Sequence, residues 1–574
     1  MLESGAAKLS TREIPVTLHD SLMARLDRLG SAKDVLQVGA VIGGEFSYEL
    51  LRAVHGSSEQ ELENALRKLT DAELLYFRGM TPDASYQFKH ALIRDAAYEA
   101  LLKSRRKELH RLVAHIIDEQ FTDMKEAHPE VLARHWTEAG EIDPAIEEWS
   151  KAGKTAEART AFHEAQESLQ QALGLLNSVP ESRERDAREL ALRQSLVHVL
   201  RLTRGWVAPE TIEAAARIGP LAEKSGELRK LVGALQTRSF HASLAGDLSI
   251  AASLADEALE LARREGNPSR IAFVQTTQEV VHFYRGDFTE AEKYFSEAVK
   301  FVDDPIFRRN PTGISISVLG WASWTAWMLG RADVARERLA KMMATINSAN
   351  PHDLAWSNLL AAILYVFMRE NESAETLAAR ALQLSEEHRF PVEAIHSRYI
   401  LGHAQVRLGR PTDSIALIRA GIDALPSAGD RVSAPINMAY LAAAQFRAGA
   451  VDDALQTVEE ALDLIPERTY GRPEIFRVRG EIRLALEDFE LAEADLRQSI
   501  DMARGMAAKA WELRTTMSLA GLLAHQRRRD EARIALAEIY GWFTEGFNTP
   551  DLKEAKLLLE ELGGTAVSPA RVLN

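Results

Sequence analysis

Gly286-Asp287-Phe288-Thr289-Glu290-Ala291, followed seven residues later by Ala298, is a pattern that returns along the chain. A turn residue leads to a small residue five positions on, and to a second one seven beyond that. Gly140 leads in this way to Ala145 and Ala152, Gly246 to Ala251 and Ala258, Arg369 to Ala374 and Ala381, and Gly449 to Ala454 and Ala461. Looser copies run from Gly330 to Ala335, from Gly409 to Ser414 and Gly421, from Glu487 to Ala492 and Ser499, and from Arg527 to Ala532. Successive turns from Gly246 to Arg527 are about 40 residues apart, and a period of that order marks a helical-repeat array.

The spacing has a mechanism. Two antiparallel helices joined by a tight turn must approach closely near it, and glycine takes the left-handed backbone of the turn at little cost. The first small residue faces the preceding helix, and the second, two turns further on, meets the next repeat. The first helix supplies a matching small residue seven before the turn: Ser239, Ser323, Ala362, Gly402, Ala442, Gly480 and Ala520, with Glu279 as the exception. Small then faces small at each helix crossing, as ridge-and-groove packing requires.

Bulk properties narrow the function classes. With 574 residues the chain is too long for one core, and 46% hydrophobic and 27% charged residues are those of an ordinary soluble protein. A net charge of −15 argues against a large nucleic-acid footprint. The absence of cysteine excludes disulfides, thiol catalysis and thiolate metal sites. Met1 to Glu13 has no apolar core of the kind a signal peptide needs. The uncharged run Pro311 to Gly330 keeps the repeat register where a first helix belongs, so it reads as a repeat helix and not as a membrane span. A cytoplasmic location is expected.

In chain order, residues 1–17 are a polar leader. A helix begins near Leu18, with Leu22, Leu26 and Leu29 on one stripe, and a second runs from Ala32 to Ile42. Ser47 caps a short helix, and Ser57 or Ser58 caps another, with Glu61 placed for a capping box. Leu74 to Phe77 and Ser85 to Phe88 flank a turn of Gly79, Pro82 and Asp83, which predicts a hairpin. Helices followed by a hairpin predict a winged-helix-like domain, assigned with its linking helices to 18–125. Residues 126–230 read as first, irregular helical repeats and 231–547 as the regular array. Residues 548–574 read as a terminal helix and a disordered tail. The expected fold class is all-α with one small β-hairpin, a winged-helix-like domain followed by an α-solenoid.

The repeat positions resemble the tetratricopeptide repeat (TPR) over roughly residues 130–545, with small residues in helix A, Gly at the turn and Ala twice in helix B. Pro426 and Pro466 occupy that family's closing position. The period of about 40 is longer than the 34 usual for the family. A second resemblance rests on Ile14-Pro15-Val16-Thr17-Leu18-His19-Asp20-Ser21-Leu22-Met23-Ala24-Arg25-Leu26-Asp27-Arg28-Leu29 and on Ala40-Val41-Ile42-Gly43-Gly44-Glu45-Phe46. It continues through Phe88-Lys89-His90-Ala91-Leu92-Ile93-Arg94-Asp95-Ala96-Ala97-Tyr98, His135-Trp136-Thr137-Glu138-Ala139-Gly140 and Trp149-Ser150-Lys151-Ala152-Gly153. These segments are similar to bacterial signalling ATPases of the STAND class. There an AAA-type ATPase precedes a winged helix and a TPR array, and many members also carry a class III adenylate/guanylate cyclase domain. Gly153-Lys154-Thr155 does not complete a phosphate-binding loop, since position 148 is Glu and the segment is helical. The resemblance therefore implies the sensor or output half of such a protein, with the ATPase core and cyclase domain missing from this chain.

Most isolated candidates have bland readings. His90, Asp95 and Tyr98 lie at the helix after the hairpin without a nucleophile, and His110 and His115 lack a carboxylate at ligand spacing. Lys103, Arg105, Arg106, Lys107 and Arg111 form a basic cluster, but the helix that would accompany it on DNA carries Glu59, Glu61 and Glu63.

The TPR resemblance implies a concave wall lined by helix A at about 13, 10, 6, 3 and 2 residues before each turn. That register selects Phe240, Val280, Phe283, Tyr284, Trp324, Trp327, Trp356, Phe367, Tyr399 and His403 as a partner-binding groove, with Phe273, Met328, Ile363 and His396 alongside. Packing between repeats is the competing account of the same aromatics. Further on, the register gives Ala439, Ala443, Arg447, Arg477 and Glu481, a smaller and more charged set.

The expectation is a non-enzymatic regulatory scaffold with no catalytic residues, cofactor or metal. Its partner would be a protein or peptide, an ATPase or cyclase domain among the candidates, with no nucleic acid and no membrane. The alternative is a transcriptional regulator with a DNA-binding winged helix and an inducer-sensing array.

Overall fold

Left-handed turns set the architecture. In the computed structural model, Gly246, Gly286, Gly330, Gly409 and Gly449 all have φ between 75° and 88°. Arg369, Glu487 and Arg527 adopt the same conformation, at 61°, 61° and 65°, although they carry side chains. The structure describes residues 26–564 apart from 206–207, 305–306, 308–313, 347–349 and 465–468. The polar leader, the start of the helix expected from Leu18, Trp206-Val207, Pro466 and the tail after 564 lie outside the described residues. The chain divides into two compact units, the first ending at Leu196 and the second beginning at Val197.

In the first unit, helices Ala32–Ile42, Tyr48–His55 and Glu59–Asp71 pack with a small antiparallel sheet. Ser47 Oγ accepts from the Leu50 amide at 3.2 Å, and the Ser58 amide donates to Glu61 Oε2 at 3.2 Å, closing the capping box. The sheet has three strands, where the sequence predicts only the hairpin of β2 (Leu75–Arg78) and β3 (Ser85–Phe88). β1 (Glu45–Ser47) pairs with the far side of β3, in the order β1-β3-β2. Three residues are too few to show a two-residue alternation; what places β1 is Phe46, packed on Tyr86 and Phe88 at 6.0 Å each. Helix pairs follow from Pro129–Ala139 onward. Gly153 lies inside the helix Ile142–Ala158, where a Cβ would stand 2.8 Å from Leu169, so its glycine serves packing.

The second unit is a TPR-like solenoid. Its A/B pairs run from Leu228–Ala245 with Leu248–Glu265 to Lys509–His525 with Arg529–Trp542, and the helix Pro550–Gly563 follows. The small residues after each turn are buried, among them Ala251, Ala291, Ala335, Ala374, Ala454, Ala492 and Ala532. The Trp-rich helix Ile314–Met328 is buried on all sides, and no described helix is long and apolar enough to cross a membrane.

Within this unit the superhelix returns upon itself. The Leu244 carbonyl, at the end of one helix A, accepts from the amides of Arg431 and Val432 at 2.8 and 3.0 Å. One repeat later the Tyr284 carbonyl accepts from the Tyr470 amide at 3.0 Å. Glu545 Oε1 accepts from the amides of Asp333 and Val334, and Asp333 Oδ2 accepts in turn from the Gly546 amide at 3.1 Å. Helix ends leave carbonyls without intrahelical partners, and here distant repeats supply the donors.

Candidate functional site in the interior of the repeat array

The inward-facing register of helix A builds two walls of different chemistry. The first is aromatic. Phe283 sits 5.1 Å from Trp321 and 5.2 Å from Tyr470, and Trp327 stacks on Phe367 at 5.2 Å. Trp511, only 1% exposed, meets Trp327 and Tyr470 at 6.4 Å each. Trp324 Nε1 donates to the Leu360 carbonyl at 3.0 Å and Trp356 Nε1 to Ser317 Oγ at 2.9 Å, so both indoles have partners inside the fold.

Six residues expected to line an open groove, Phe283, Tyr284, Trp324, Trp327, Phe367 and Tyr399, are therefore buried. This corrects the expectation of an accessible aromatic wall. For all but Tyr399 the physical reason is the return of the superhelix, which brings Tyr470, Met506 and Trp511 into the space these side chains face; Tyr399 packs in a separate cluster with Ile395 and Ile418. Phe240, Val280 and Trp356 are half-buried against the same cluster.

The second wall is polar. His403 and Arg407 lie one turn apart on the helix Pro391–Arg407 and keep part of their surface accessible, although both are deep in the array. That combination describes enclosed polar side chains that are not fully packed. His403 packs on Tyr440 at 4.3 Å between ring centres, and burial, with Arg407 and neighbouring arginines adding to it, pushes its imidazole well below the usual range. It is neutral. Arg477 pairs with Glu474 at 2.7 Å and with Glu481, and Ser518 also donates to Glu481 at 2.6 Å. Arg514 bonds Asp551 at 2.6 Å and the Phe367 carbonyl at 2.8 Å, while Arg369 pairs with Asp551 at 2.9 Å and with Glu554. Burial raises the Asp551 and Glu481 carboxyls, but the facing arginines outweigh it and hold both below the usual range.

Sequence reasoning missed Arg407, Arg514 and Asp551. Arg407 had a signal, since it stands two before Gly409 as Arg447 stands two before Gly449. Asp551 had none, because it enters from outside the repeat pattern.

Other candidates resolve into structure. His110 Nδ1 lies 2.8 Å from His135 Nδ1, Tyr98 Oη lies 3.0 Å from His110 Nε2, and His115 packs edge-on against Trp136. No group of His, Asp and Glu suited to a metal ion occurs among the described residues. In the basic cluster Arg105 pairs with Glu108, Arg106 donates to the Leu101 and Glu99 carbonyls, and Arg111 pairs with Glu141. Glu59, Glu61 and Glu63 are exposed on the helix Glu59–Asp71, so this face offers little to a phosphate backbone.

Residues 357–559 match the MalT-like TPR region. The matched segment holds the whole polar wall, from Arg369 and His403 to Asp551. An uncharacterized protein of Rhizobium meliloti (strain 1021) is 24% identical over 537 residues, covering 90% of this chain and 52% of the relative. The chain thus spans about half the length of the curated relative it matches. Among solved structures, a Rap protein complexed with Competence and Sporulation Factor is 12% identical, covering 64% of this chain and 99% of that one, with a TM-score of 0.46. A STAND protein with a tetratricopeptide repeat sensor from Pyrococcus horikoshii is 14% identical, covering 95% and 68%, with a TM-score of 0.32. Yeast Tom70 is 12% identical, covering 80% and 96%, with a TM-score of 0.33.

Proposed function

We propose that this chain is a non-enzymatic regulatory scaffold whose TPR-like array binds a protein or peptide partner in its interior. In this reading it is the sensor half of a bacterial cyclase- or ATPase-linked signalling system. The helices and sheet of residues 32–88 are then a winged helix that passes the state of the array to an ATPase or cyclase domain. The observation that carries the proposal is the pair His403 and Arg407, which combines depth in the array with accessible polar surface. A packed core has no use for such a pair, since buried polar groups without partners are costly. The aromatic wall beside it, closed by Trp511 and Tyr470, supplies a rigid floor. A partner would be gripped by shape and by polar contacts along helix A, and the return contacts at Leu244 and Tyr284 would transmit its presence to later repeats.

The test is a fluorescence titration of the full chain with defined hexapeptides of acidic, basic and apolar composition. Trp321, Trp324, Trp327 and Trp511 report on the interior. A saturable change with at least one class is expected. Silence toward every class, or ATP hydrolysis by the purified chain, overturns the reading. Retardation of duplex DNA at low salt would favour the regulator alternative.

A further inference from the structure

Five arginines converge on the polar wall: Arg407 is faced by Arg369, Arg447, Arg477 and Arg514. Three of the five are spent. Arg477 is taken by Glu474 and Glu481, Arg514 by Asp551, and Arg369 by Asp551 and Glu554. Arg407 and Arg447 have no ion-pair or hydrogen-bond partner among the described residues.

Their placement is regular. Each ends a helix A two residues before its turn glycine, Arg407 on Pro391–Arg407 and Arg447 on Ala434–Arg447. Arg407 lies deep with a partly accessible side chain, whereas Arg447, on a helix packed against its own and within its electrostatic reach, is exposed. Glu481 attracts Arg447 without bonding it, and its Oε1 is shared by Arg477 and Ser518.

We infer that Arg407 and Arg447 form an anion-recognition site that takes a carboxylate or phosphate group of the ligand entering the array. The inference rests on the reading of the array as a ligand-binding superhelix. An enclosed guanidinium without a counter-ion is a standing cost to the fold, and an incoming anion removes it. Guanidinium offers a planar fork of donors matched to carboxylate and phosphate oxygens. Burial first, and then the neighbouring arginines, push the Arg407 guanidinium down to about 9, the response of a cation with no anion beside it. His403, held in the neutral form by burial and the arginines, adds no competing charge.

The experiment is thermal unfolding of the full chain with inorganic phosphate, tetraglutamate or tetraglutamine at constant ionic strength. It is run on the wild type, Arg407→Met, Arg447→Met and the surface control Arg380→Met. Saturating anion is expected to raise the wild-type Tm by about 2–4 °C, with tetraglutamine inert. A shift from both anions, or from one of them, supports the site and tells carboxylate from phosphate. Arg407→Met loses the shift, Arg380→Met keeps it, and unliganded Arg407→Met melts higher than the wild type because an unpaired charge is gone. Should Arg407→Met fail to fold, Arg447→Met at the exposed position carries the comparison. Equal shifts in wild type and variant, or no shift from either anion, overturn the inference. If uncharged hexapeptides still change the fluorescence in that case, peptide binding stands and only anion recognition falls.

Discussion

The Cβ that Gly286 lacks would stand 2.8 Å from the Sδ of Met506, so the turn of one repeat is seated against a residue that ends a much later helix B. Gly330 is held in the same way, 2.8 Å from the Trp542 ring. At Gly409 and Gly449 nothing lies within 4 Å of such an atom. The turn glycines therefore do two different jobs. All of them supply the left-handed backbone, and Gly286 and Gly330 also let the returning superhelix approach.

This difference is measurable. Gly449→Ala, at φ 82°, pays for backbone strain alone, about 1 kcal/mol. Gly286→Ala must also displace Met506, which adds about 1–3 kcal/mol of overpacking. Urea unfolding of the two variants checks this, and equal losses would place Met506 away from the turn.

Glu279 occupies a position where the other regular repeats carry a small residue, and it is fully buried with both carboxyl oxygens lacking a hydrogen-bond partner. Burial raises its pKa well above the ordinary value, against the opposing pull of Arg338, which is already engaged bidentately by Glu292 at 2.6 and 2.8 Å. The folded chain keeps the proton that the unfolded chain releases above about pH 4.3. Stability from this group is therefore present at low pH and is lost as pH rises. Glu279→Gln should raise the Tm at about pH 8 and leave it nearly unchanged at about pH 4. Equal effects at both pH values would mean that burial does not raise the Glu279 pKa in the fold.

Asp551 closes the polar wall by accepting from Arg514 and Arg369 together. Its carboxyl is held below the ordinary value, so its contribution is full above about pH 3.9 and is lost as pH falls through the folded value. Asp551→Asn leaves Arg514 without its anion and Arg369 with Glu554 alone, and should cost about 3–5 kcal/mol in urea unfolding at neutral pH. Arg369→Met alone should cost less, since Asp551 keeps Arg514. The reverse order would contradict the assignment of Asp551 as the shared acceptor.

In the first unit the buried His110 and His135 are pushed down to about 4 and about 3, chiefly by burial and then by charged or imidazole neighbours. Between about pH 6.5 and these values the unfolded chain takes up protons that the fold refuses, so stability falls on acidification. Near-UV circular dichroism of thermal unfolding across this range should show a steep decline in the wild type and a shallower one in His110→Gln. Parallel declines would remove the pair as its source.

The repeat was legible because its constraints are local. A left-handed turn and a small residue five positions on are fixed by one helix pair, so even Arg369, Glu487 and Arg527 could be placed by spacing alone. The return of the superhelix was not legible. Bonds such as Arg431 to Leu244 and Tyr470 to Tyr284 join distant backbone groups and leave no period in the sequence. Hence the inward direction of Trp324 and Trp327 could be read, but not that Trp511 would fill the space before them. Arg407 stands in the same register, but an arginine at a helix end has the same sequence signature whether it is enclosed or solvated. Strand β1 was too short to announce itself.

The central claim is that the interior of the array takes a ligand through its polar wall. Calorimetric titration of tetraglutamate into the full chain, compared with Arg407→Met, tests it most directly. Saturable binding to the wild type that weakens at least tenfold in the variant is the predicted result. Binding that is equal in both, or the absence of binding to the wild type by tetraglutamate and inorganic phosphate alike, would contradict it.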